Sequence, residues 1–257
     1  MSNIKILVAS HKYVSMPEDR NVYLPVLVGA GSNYKKGIDF QRDDDGENIS
    51  YKNPNYNELT AIYWAWKNLK DTDVVGLVHY RRLFSIDKND IPICRKDIEE
   101  LLLDNDVILP KKRKYYIETN RSHYIHAHNE LPLDELRKII KNEYSEYLQY
   151  FDNVMNRRSA HMFNMFIMKK KYFESYSKFI FNVLSKLEHR IDISNYSIQE
   201  SRVYGYLSEL LMDVWLEKNK IKYKEINWYQ TGDKHILKKI FFFLCRKFGV
   251  GYTHTHF

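Results

Sequence analysis

The chain has 257 residues, of which 44% are hydrophobic and 28% are charged, as is typical of a globular protein with one large or two small domains. These values exclude a collagen-like, disordered or multi-span membrane protein. The longest apolar runs, 61–66 and 240–245, are far shorter than the ~20 residues of a spanning helix, and we expect no export signal. The two cysteines lie far apart without a CxxC partner, so we expect a reducing compartment and neither a disulfide framework nor a cysteine-rich zinc site.

The net charge of +7 is unevenly distributed along the chain. Residues 1–110 carry a net charge of −3, residues 111–230 carry +6, and residues 231–257 carry +4. A basic second half indicates an anionic partner, which could be a nucleic acid, a phosphorylated small molecule or an acidic membrane surface. A solvated basic face explains the same composition.

Apolar periodicity predicts an α/β fold for residues 1–230. Short apolar runs predict strands at 4–9, 74–78, 107–109 and 162–168. Apolar residues at helical spacing predict helices at 59–69, 133–148, 172–187 and 203–214, and Asp97 with Glu100 predicts a capping box on a further short helix. Residues 30–56 and 111–129 are predicted to be long loops. Strands and helices alternate at first and helices dominate later, so we expect a central, largely parallel sheet with helical additions in the C-terminal half.

Two polar clusters directly follow predicted strands. Ser10-His11-Lys12 follows the first strand, and His79-Tyr80-Arg81-Arg82 follows strand 74–78. Ligands of open α/β sheets bind at the carboxyl ends of the strands, so parallel strands would bring both clusters to one edge. The arginine side chains match phosphate oxygens, with surface ion pairs to nearby aspartates as the alternative. In an extended chain, His79 and Arg81 would share one face, and Tyr80 and Arg82 would share the other.

Other candidate motifs give weaker signals. The acidic run 43–45 suits Mg²⁺ or Mn²⁺, but a solvated turn explains it as well. The histidines at 123, 126, 128 and 161 lack the spacing of a zinc site, and the chain contains no P-loop, GxGxxG or GxSxG motif. Glu209 lies beside the apolar stripe of its predicted helix, where the usual interpretation is a carboxylate on the helix surface.

Longer segments carry a resemblance to a known family. These segments are 43–50, 53–54, 58–68, 76–82, 164–168 and 202–211. They resemble a bacterial glycosyltransferase family of capsular-polysaccharide and exopolysaccharide gene clusters, long catalogued as a domain of unknown function, and the resemblance covers roughly residues 3–220. The segments 58–66 and 79–82 are the most specific. Leu210 departs from the family, which favours arginine there, and this departure weakens any role assigned to neighbouring Glu209.

The family is similar to the nucleotide-diphospho-sugar transferases of the GT-A fold. The resemblance therefore implies a GT-A-like (Rossmann-like) sheet. It also implies transfer of a hexosyl group, such as galactose in pyranose or furanose form, from a UDP-sugar to a lipid-linked glycan in surface polysaccharide biosynthesis. GT-A enzymes commonly carry an Asp-x-Asp metal motif after a central strand, where this chain has His79-Tyr80-Arg81-Arg82. We therefore expect these cations to stabilise the leaving diphosphate in place of Mn²⁺ or Mg²⁺, with no metal cofactor.

The resemblance also implies roles for individual residues. His79, Arg81 and Arg82 are expected to face the diphosphate, and Glu209 is expected to deprotonate the acceptor hydroxyl if the reaction inverts configuration. The residues expected to bind the donor are Ser10, His11, Lys12, Asp43, Asn48, Glu58, Tyr80 and Asn164.

Residues 231–257 form a separate basic and aromatic segment. On a helix, its apolar side chains would form a broad face flanked by Lys238, Lys239, Arg246 and Lys247, which suits a helix lying on an anionic leaflet. Packing on the preceding domain or on a partner subunit is the alternative. We expect a cytoplasmic protein, peripheral on the inner face of the cell membrane.

Two other functional classes stay open. Tyrosines interleaved with basic residues around 111–124 are compatible with a nucleic-acid-binding protein, but no RNP-type, KH or zinc-finger motif is present, and we expect no nucleic-acid partner. A non-catalytic scaffold of the polysaccharide machinery is the second alternative, and binding of UDP without turnover would identify it.

Overall fold

A computed structural model describes residues 2–87 and 90–231. The predicted membrane-binding segment 231–257 lies outside the described residues, apart from Thr231. No helix among the described residues is long and apolar enough to cross a membrane.

The described residues form ten strands and nine α-helices. The strands are β1 (Ile4–Ser10), β2 (Tyr23–Leu27), β3 (Gln41–Arg42), β4 (Val74–His79), β5 (Arg82–Ser85), β6 (Val107–Pro110), β7 (Arg113–Lys114), β8 (Ser159–Ala160), β9 (Phe166–Lys169) and β10 (Tyr223–Gln230). The helices are α1 (Ala30–Asn33), α2 (Asn53–Tyr56), α3 (Leu59–Asn68), α4 (Arg95–Asp104), α5 (Asn120–Ala127), α6 (Leu131–Glu143), α7 (Leu148–Asn156), α8 (Lys170–Glu188) and α9 (Val203–Lys218). Short 3₁₀ turns occur at Ser50–Lys52, Ser145–Tyr147 and Glu200–Arg202.

Eight of the strands form one mixed sheet in the order β3-β2-β1-β4-β5-β10-β6-β9. The neighbours β3, β2, β1 and β4 are parallel. Beyond β4, the strands β5 and β9 run antiparallel to it, and β9 also pairs with β6. The strands β4, β5, β10, β6 and β9 are thus joined in a closed circuit of pairings. The strands β7 and β8 form a separate antiparallel ribbon.

The sheet separates two apolar cores. Along β4, Val75 and Leu77 contribute to the larger core, which includes side chains from α3 and α6 to α9. Val74 and Val78, on the other face, contribute to the smaller core beneath α4. Because both faces of the central strands are covered, β1 and β4 have near-continuous apolar sequences.

The predicted parallel sheet is confirmed for one half only. The predicted strands 4–9, 74–78 and 107–109 are present, and β1 lies parallel to β4. The second half is mixed, because β9 and β5 run antiparallel to β4. The predicted strand 162–168 begins only at Phe166, because Phe163 and Asn164 have left-handed backbone conformations with φ of 76° and 52°.

The two predicted loops contain regular structure. Residues 30–56 include α1, β3 and α2, and residues 111–129 include β7 and α5. In the second segment residues 111, 113, 114, 116 and 117 are exposed as predicted, whereas Glu118, Asn120 and Tyr124 are buried, so only its first part is an exposed loop. The predicted helix 133–148 is interrupted at Ser145–Tyr147. In α4, Asp97 accepts from the Cys94 N–H at 3.1 Å, so the capping box pairs Cys94 with Asp97 and does not involve Glu100.

Gly76 is a packing requirement of the central sheet. An ideal Cβ at this position would lie 2.9 Å from the Ile167 Cγ1 atom and 3.0 Å from the Phe166 carbonyl oxygen. We expect Gly76→Ala to lower the free energy of unfolding by about 1–3 kcal/mol, because overpacking shifts backbone and side chains. Urea unfolding measures this change. The matched control is Gly31→Ala in α1, where the nearest atom would be 3.8 Å away, and equal stabilities of the two variants would contradict the assignment.

Candidate functional site

The two polar clusters after β1 and β4 meet at one edge of the sheet. Ala9 pairs with His79 in the parallel register, and the Tyr80 N–H donates to the Ala9 carbonyl oxygen at 3.2 Å. Ser10 is buried, and its hydroxyl donates to the Lys12 carbonyl oxygen at 2.6 Å. Ser10 therefore shapes the turn that presents His11 and Lys12.

We call His11, Lys12, Arg81 and Arg202 the cationic corner: the first three lie next to the Tyr80 ring, and the charge of Arg202 acts on His11. The His11 ring lies 5.6 Å from that of Tyr80, and the Arg81 Cζ atom lies 5.2 Å from the same centroid. Burial lowers the pKa of His11, and the positive charges of Lys12, Arg81 and Arg202 lower it further. This concentration of positive charge favours an anionic ligand.

A tight hairpin between β4 and β5 separates the two neighbouring arginines. His79 and Arg82 are directly paired across the hairpin, whereas Tyr80 and Arg81 form its turn. The hydroxyl and the N–H of Thr231 donate to the Tyr80 and Arg81 carbonyl oxygens, each at 3.0 Å. The prediction that the side chains of residues 79–82 alternate along an extended chain is therefore wrong. The turn places His79 and Arg82 side by side and places Arg81 in the cationic corner.

Arg82 lies beside two carboxylates, Glu58 and Glu209, which we call the acidic pair. Its Cζ atom lies 4.3 Å from the centroid of the Phe163 ring, and its Nε atom is buried without a hydrogen-bond partner among the described residues. Burial lowers the pKa of Arg82, while the charges of Glu209 and Glu58 raise it. Arg82 remains cationic and retains hydrogen-bonding capacity for a ligand.

Glu209 has the perturbed acid–base character typical of functional sites. Burial and the nearby charge of Glu58 raise its pKa to about 8, against the opposing effects of Arg82, Arg113 and a main-chain hydrogen bond from Phe163. The side chain is only partly buried. It therefore combines contact with solvent with a pKa near neutrality, which suits a group that exchanges a proton with a ligand.

Asn164 connects the acidic pair to the scaffold. Its amide nitrogen donates to Glu58 Oε1 at 2.6 Å, and its amide oxygen accepts from the Ser208 hydroxyl at 2.8 Å. The His79 Nε2–H donates to the Phe163 carbonyl oxygen at 2.6 Å, and the ring lies 4.0 Å from Glu58. The structure thus brings together five of the predicted site residues, namely Glu58, His79, Arg82, Asn164 and Glu209.

The predicted donor-binding residues Asp43 and Asn48 have structural partners. The Asp43 carboxylate is fully buried and accepts from the N–H groups of Gly29 and Ala30 at 2.8 and 3.0 Å, and from the Ser50 hydroxyl. Asn48 donates to two carbonyl oxygens of its own turn. Among the described residues, no hydrogen bond or ion pair joins either of them to the acidic pair.

The acidic run 43–45 does not fit a divalent cation. Asp43 is occupied by its N–H donors, Asp44 pairs with Arg42, and Asp45 accepts from Gln41. No group of three or more histidine, cysteine, aspartate and glutamate side chains in the described part of the chain has the arrangement of a metal site.

Sequence reasoning missed several residues of the site. These are Arg113, Phe163, Arg202 and Ser208. Ser208 precedes Glu209 and lies on the buried side of α9, so its place in the predicted helix was an available signal. Arg113, Phe163 and Arg202 lie at the site because distant segments of the chain meet there, and no local sequence pattern predicts such contacts.

Comparison with known proteins places this fold among glycosyltransferase-related domains. The chain is similar to a solved apo structure of WbbM, a bifunctional glycosyltransferase, with 28% sequence identity and a TM-score of 0.80. The match covers 90% of this chain and 46% of that one, so this chain spans about half the length of WbbM. Curated proteins give no match.

The family itself is established by the sequence. Residues 5–220 match the family described as Domain of unknown function (DUF4422). Because this match spans most of the chain, the protein belongs to that family.

The pKa of Glu209 predicts an unusual pH dependence of stability. Unfolding lowers this pKa from about 8 to about 4.5, so between these values the folded state holds more protons and stability falls as pH rises. Glu209→Gln abolishes this loss. Relative to the wild type, we expect the variant to gain at least ~1 kcal/mol between about pH 5 and pH 8, since one pH unit of pKa difference corresponds to ~1.4 kcal/mol.

Urea unfolding at both pH values measures this gain. The matched control is Glu217→Gln on the same helix, which removes an ion pair with Arg157. Its cost should be the same at both values, because the arginine stays charged. A pH-independent difference between Glu209→Gln and the wild type would show that the carboxyl is not perturbed.

Proposed function

We propose that this chain is a glycosyltransferase that moves a hexosyl group from a nucleotide-diphospho-sugar to an acceptor hydroxyl. The observation that carries the proposal is the position of Glu209, whose pKa is raised to about 8 beside Glu58 and Arg82. This site lies in a chain that is similar, over most of its length, to part of a bifunctional glycosyltransferase. A proton-exchanging carboxyl next to a buried cation suits a reaction in which a hydroxyl loses a proton and an anion departs.

The cationic corner is the proposed binding place of the donor diphosphate. His11, Lys12, Arg81 and Arg202 lie at the carboxyl ends of β1 and β4 and at the start of α9. Guanidinium and ammonium groups match phosphate oxygens, and in this type of sheet ligands bind at the strand ends. The exposed side chain of Arg81 then contacts the diphosphate, while Tyr80 supplies an aromatic surface beside it.

Glu209 is the proposed base. In its ionised form it accepts the proton of the acceptor hydroxyl, whose oxygen forms a bond to the anomeric carbon as the bond from that carbon to the diphosphate oxygen breaks. The nucleoside diphosphate leaves with the bonding electron pair, and the positive charge of Arg82 stabilises the developing negative charge. We assign Glu58, which Asn164 holds, as the acceptor of a hydrogen bond from a donor-sugar hydroxyl.

Three finer assignments follow from the family resemblance, namely a UDP-sugar donor, a galactosyl group and a lipid-linked glycan acceptor of capsular or exopolysaccharide synthesis. Attachment of residues 231–257 to the inner face of the membrane rests instead on the basic and aromatic composition of that segment. The negative charges of the donor diphosphate and of an anionic leaflet agree with the net charge of +10 over residues 111–257.

Replacement of the proposed base should separate binding from turnover. We expect Glu209→Gln to lower kcat by ~10²–10⁴-fold, the usual contribution of a general base, with little change in UDP affinity. Release of UDP from a panel of UDP-hexoses with a lipid-linked glycan acceptor measures turnover, and calorimetry measures UDP binding.

Glu217→Gln serves again as the control on α9 and should retain full activity. Near-normal turnover in Glu209→Gln would remove Glu209 from the mechanism. Tight UDP binding by a wild-type protein that shows no turnover with any donor would favour a non-catalytic scaffold.

The proposed use of side-chain cations predicts tolerance of metal chelation. Because the cationic corner and Arg82 supply positive charge to the diphosphate, excess EDTA should leave most of the transferase activity intact. The same assay run on a metal-dependent glycosyltransferase verifies that chelation is complete. Loss of activity in EDTA with rescue by Mn²⁺ would refute the prediction.

A further inference from the structure

The segment 161–165, between β8 and β9, has a costly backbone conformation next to the proposed base. Phe163 and Asn164 have φ values of 76° and 52°, in the left-handed region that costs a residue such as phenylalanine about 1 kcal/mol or more and asparagine less. Two such residues in succession persist only where the surrounding structure holds them. The groups that hold this segment therefore determine where its main-chain N–H and carbonyl groups point.

His161 holds the beginning of this segment. Its side chain is 2% exposed. The His161 N–H donates to Asp213 Oδ2 at 3.0 Å, the ring Nδ1 lies 2.6 Å from Asp213 Oδ1, and the ring Nε2 lies 3.0 Å from Glu225 Oε1. Asp213 and Glu225 thus contact the two opposite nitrogens of one buried ring. Lys112, 3.4 Å from Asp213, further balances the negative charge.

The partner of His161 lies on the helix that carries Glu209. Asp213 follows Glu209 by one turn of α9, so both side chains lie on the same side of this helix. Between them, the Phe163 carbonyl oxygen accepts from the His79 Nε2–H at 2.6 Å, and the Phe163 N–H, directed toward Glu209, lowers the pKa of that carboxyl. The link from His161 to Asp213 thus fixes the segment against α9 two residues before the contact with Glu209.

We propose that His161 is a positioning residue for the base: through Asp213 it holds the segment 161–165 so that the Phe163 N–H meets the Glu209 carboxylate. This inference rests on the proposed function of Glu209. Among the described residues, no hydrogen bond or ion pair joins the ring to Glu209 or Arg82. Glu225, on β10, holds the far side of the ring and is the second anchor.

Two amide variants of His161 separate positioning from charge and packing. His161→Asn places an amide nitrogen near the position of Nδ1 and retains the bond to Asp213. His161→Gln places one near the position of Nε2 and retains the bond to Glu225. Both variants are neutral amides, so a difference between them reports which of the two ring contacts is kept.

The readout is the titration of the Glu209 carboxyl by ¹³C NMR, with its signal assigned by its absence in Glu209→Gln. A hydrogen bond to the charged form lowers the pKa of a carboxyl. We therefore expect the pKa of Glu209 to be about 1 pH unit higher in His161→Gln than in His161→Asn, the effect of losing one hydrogen bond. In UDP-release assays, kcat should fall at least ~10-fold in His161→Gln with KM unchanged, as misplacement of a reacting group predicts.

Equal titration of Glu209 in the two variants would overturn the inference. If His161→Gln does not fold, His161→Leu takes its place, because it fills the volume without a hydrogen bond and carries the same expectation. The titration requires no substrate. If Glu209→Gln keeps full turnover but the pKa of Glu209 differs between the two His161 variants, Glu209 is not the base, but His161 still positions it. If Glu209→Gln is inactive but the two titrations are equal, Glu209 is the base and His161 does not position it.

Discussion

The acidic pair and Arg82 form the electrostatic arrangement on which the site depends. Two carboxylates in a partly buried recess repel one another and lose solvation, so a cation beside them stabilises the ionised forms. The three side chains come from the start of α3, from the middle of α9 and from the first residue of β5. Their convergence requires both helices to pack on the same face of the sheet, where the larger core lies.

The segment before β9 links this electrostatic arrangement to the packing of the fold. The antiparallel pairing of β9 with β4 brings the preceding residues against α9, where side chains of that helix meet its main chain and the side chain of Asn164. The strained conformations of Phe163 and Asn164 are therefore stabilised by the same contacts that orient the acidic pair. The contact between this segment and α9 is therefore rigid, because a shift of α9 would break several hydrogen bonds at once.

The sequence correctly predicted the strands and helices that have a local apolar pattern. It did not predict the features that depend on contacts between distant segments of the chain. The apolar runs of β1 and β4 and the helical spacing of α3, α8 and α9 identified those elements. The strand β10, with its mixed sequence Tyr223–Gln230, is half-exposed and has no clear apolar pattern. Glu209 was identified by resemblance, but its burial beside Glu58 depends on a contact across 151 positions of the chain, which no periodicity contains. Likewise, the different surroundings of Arg81 and Arg82 arise from a turn that the apolar pattern of β4 does not show.

Because of the hairpin at the end of β4, the number of residues between His79 and Arg82 matters to the site as much as their identity. Because Thr231 secures both carbonyl groups of the turn, the chain cannot slide by one position without exchanging the surroundings of the two arginines. A lysine in place of Arg81 preserves the charge of the cationic corner, whereas an insertion or deletion between His79 and Arg82 would place a side chain of the wrong kind beside the carboxylates. In related sequences, tolerance of substitution at the turn should therefore coexist with strict conservation of its spacing.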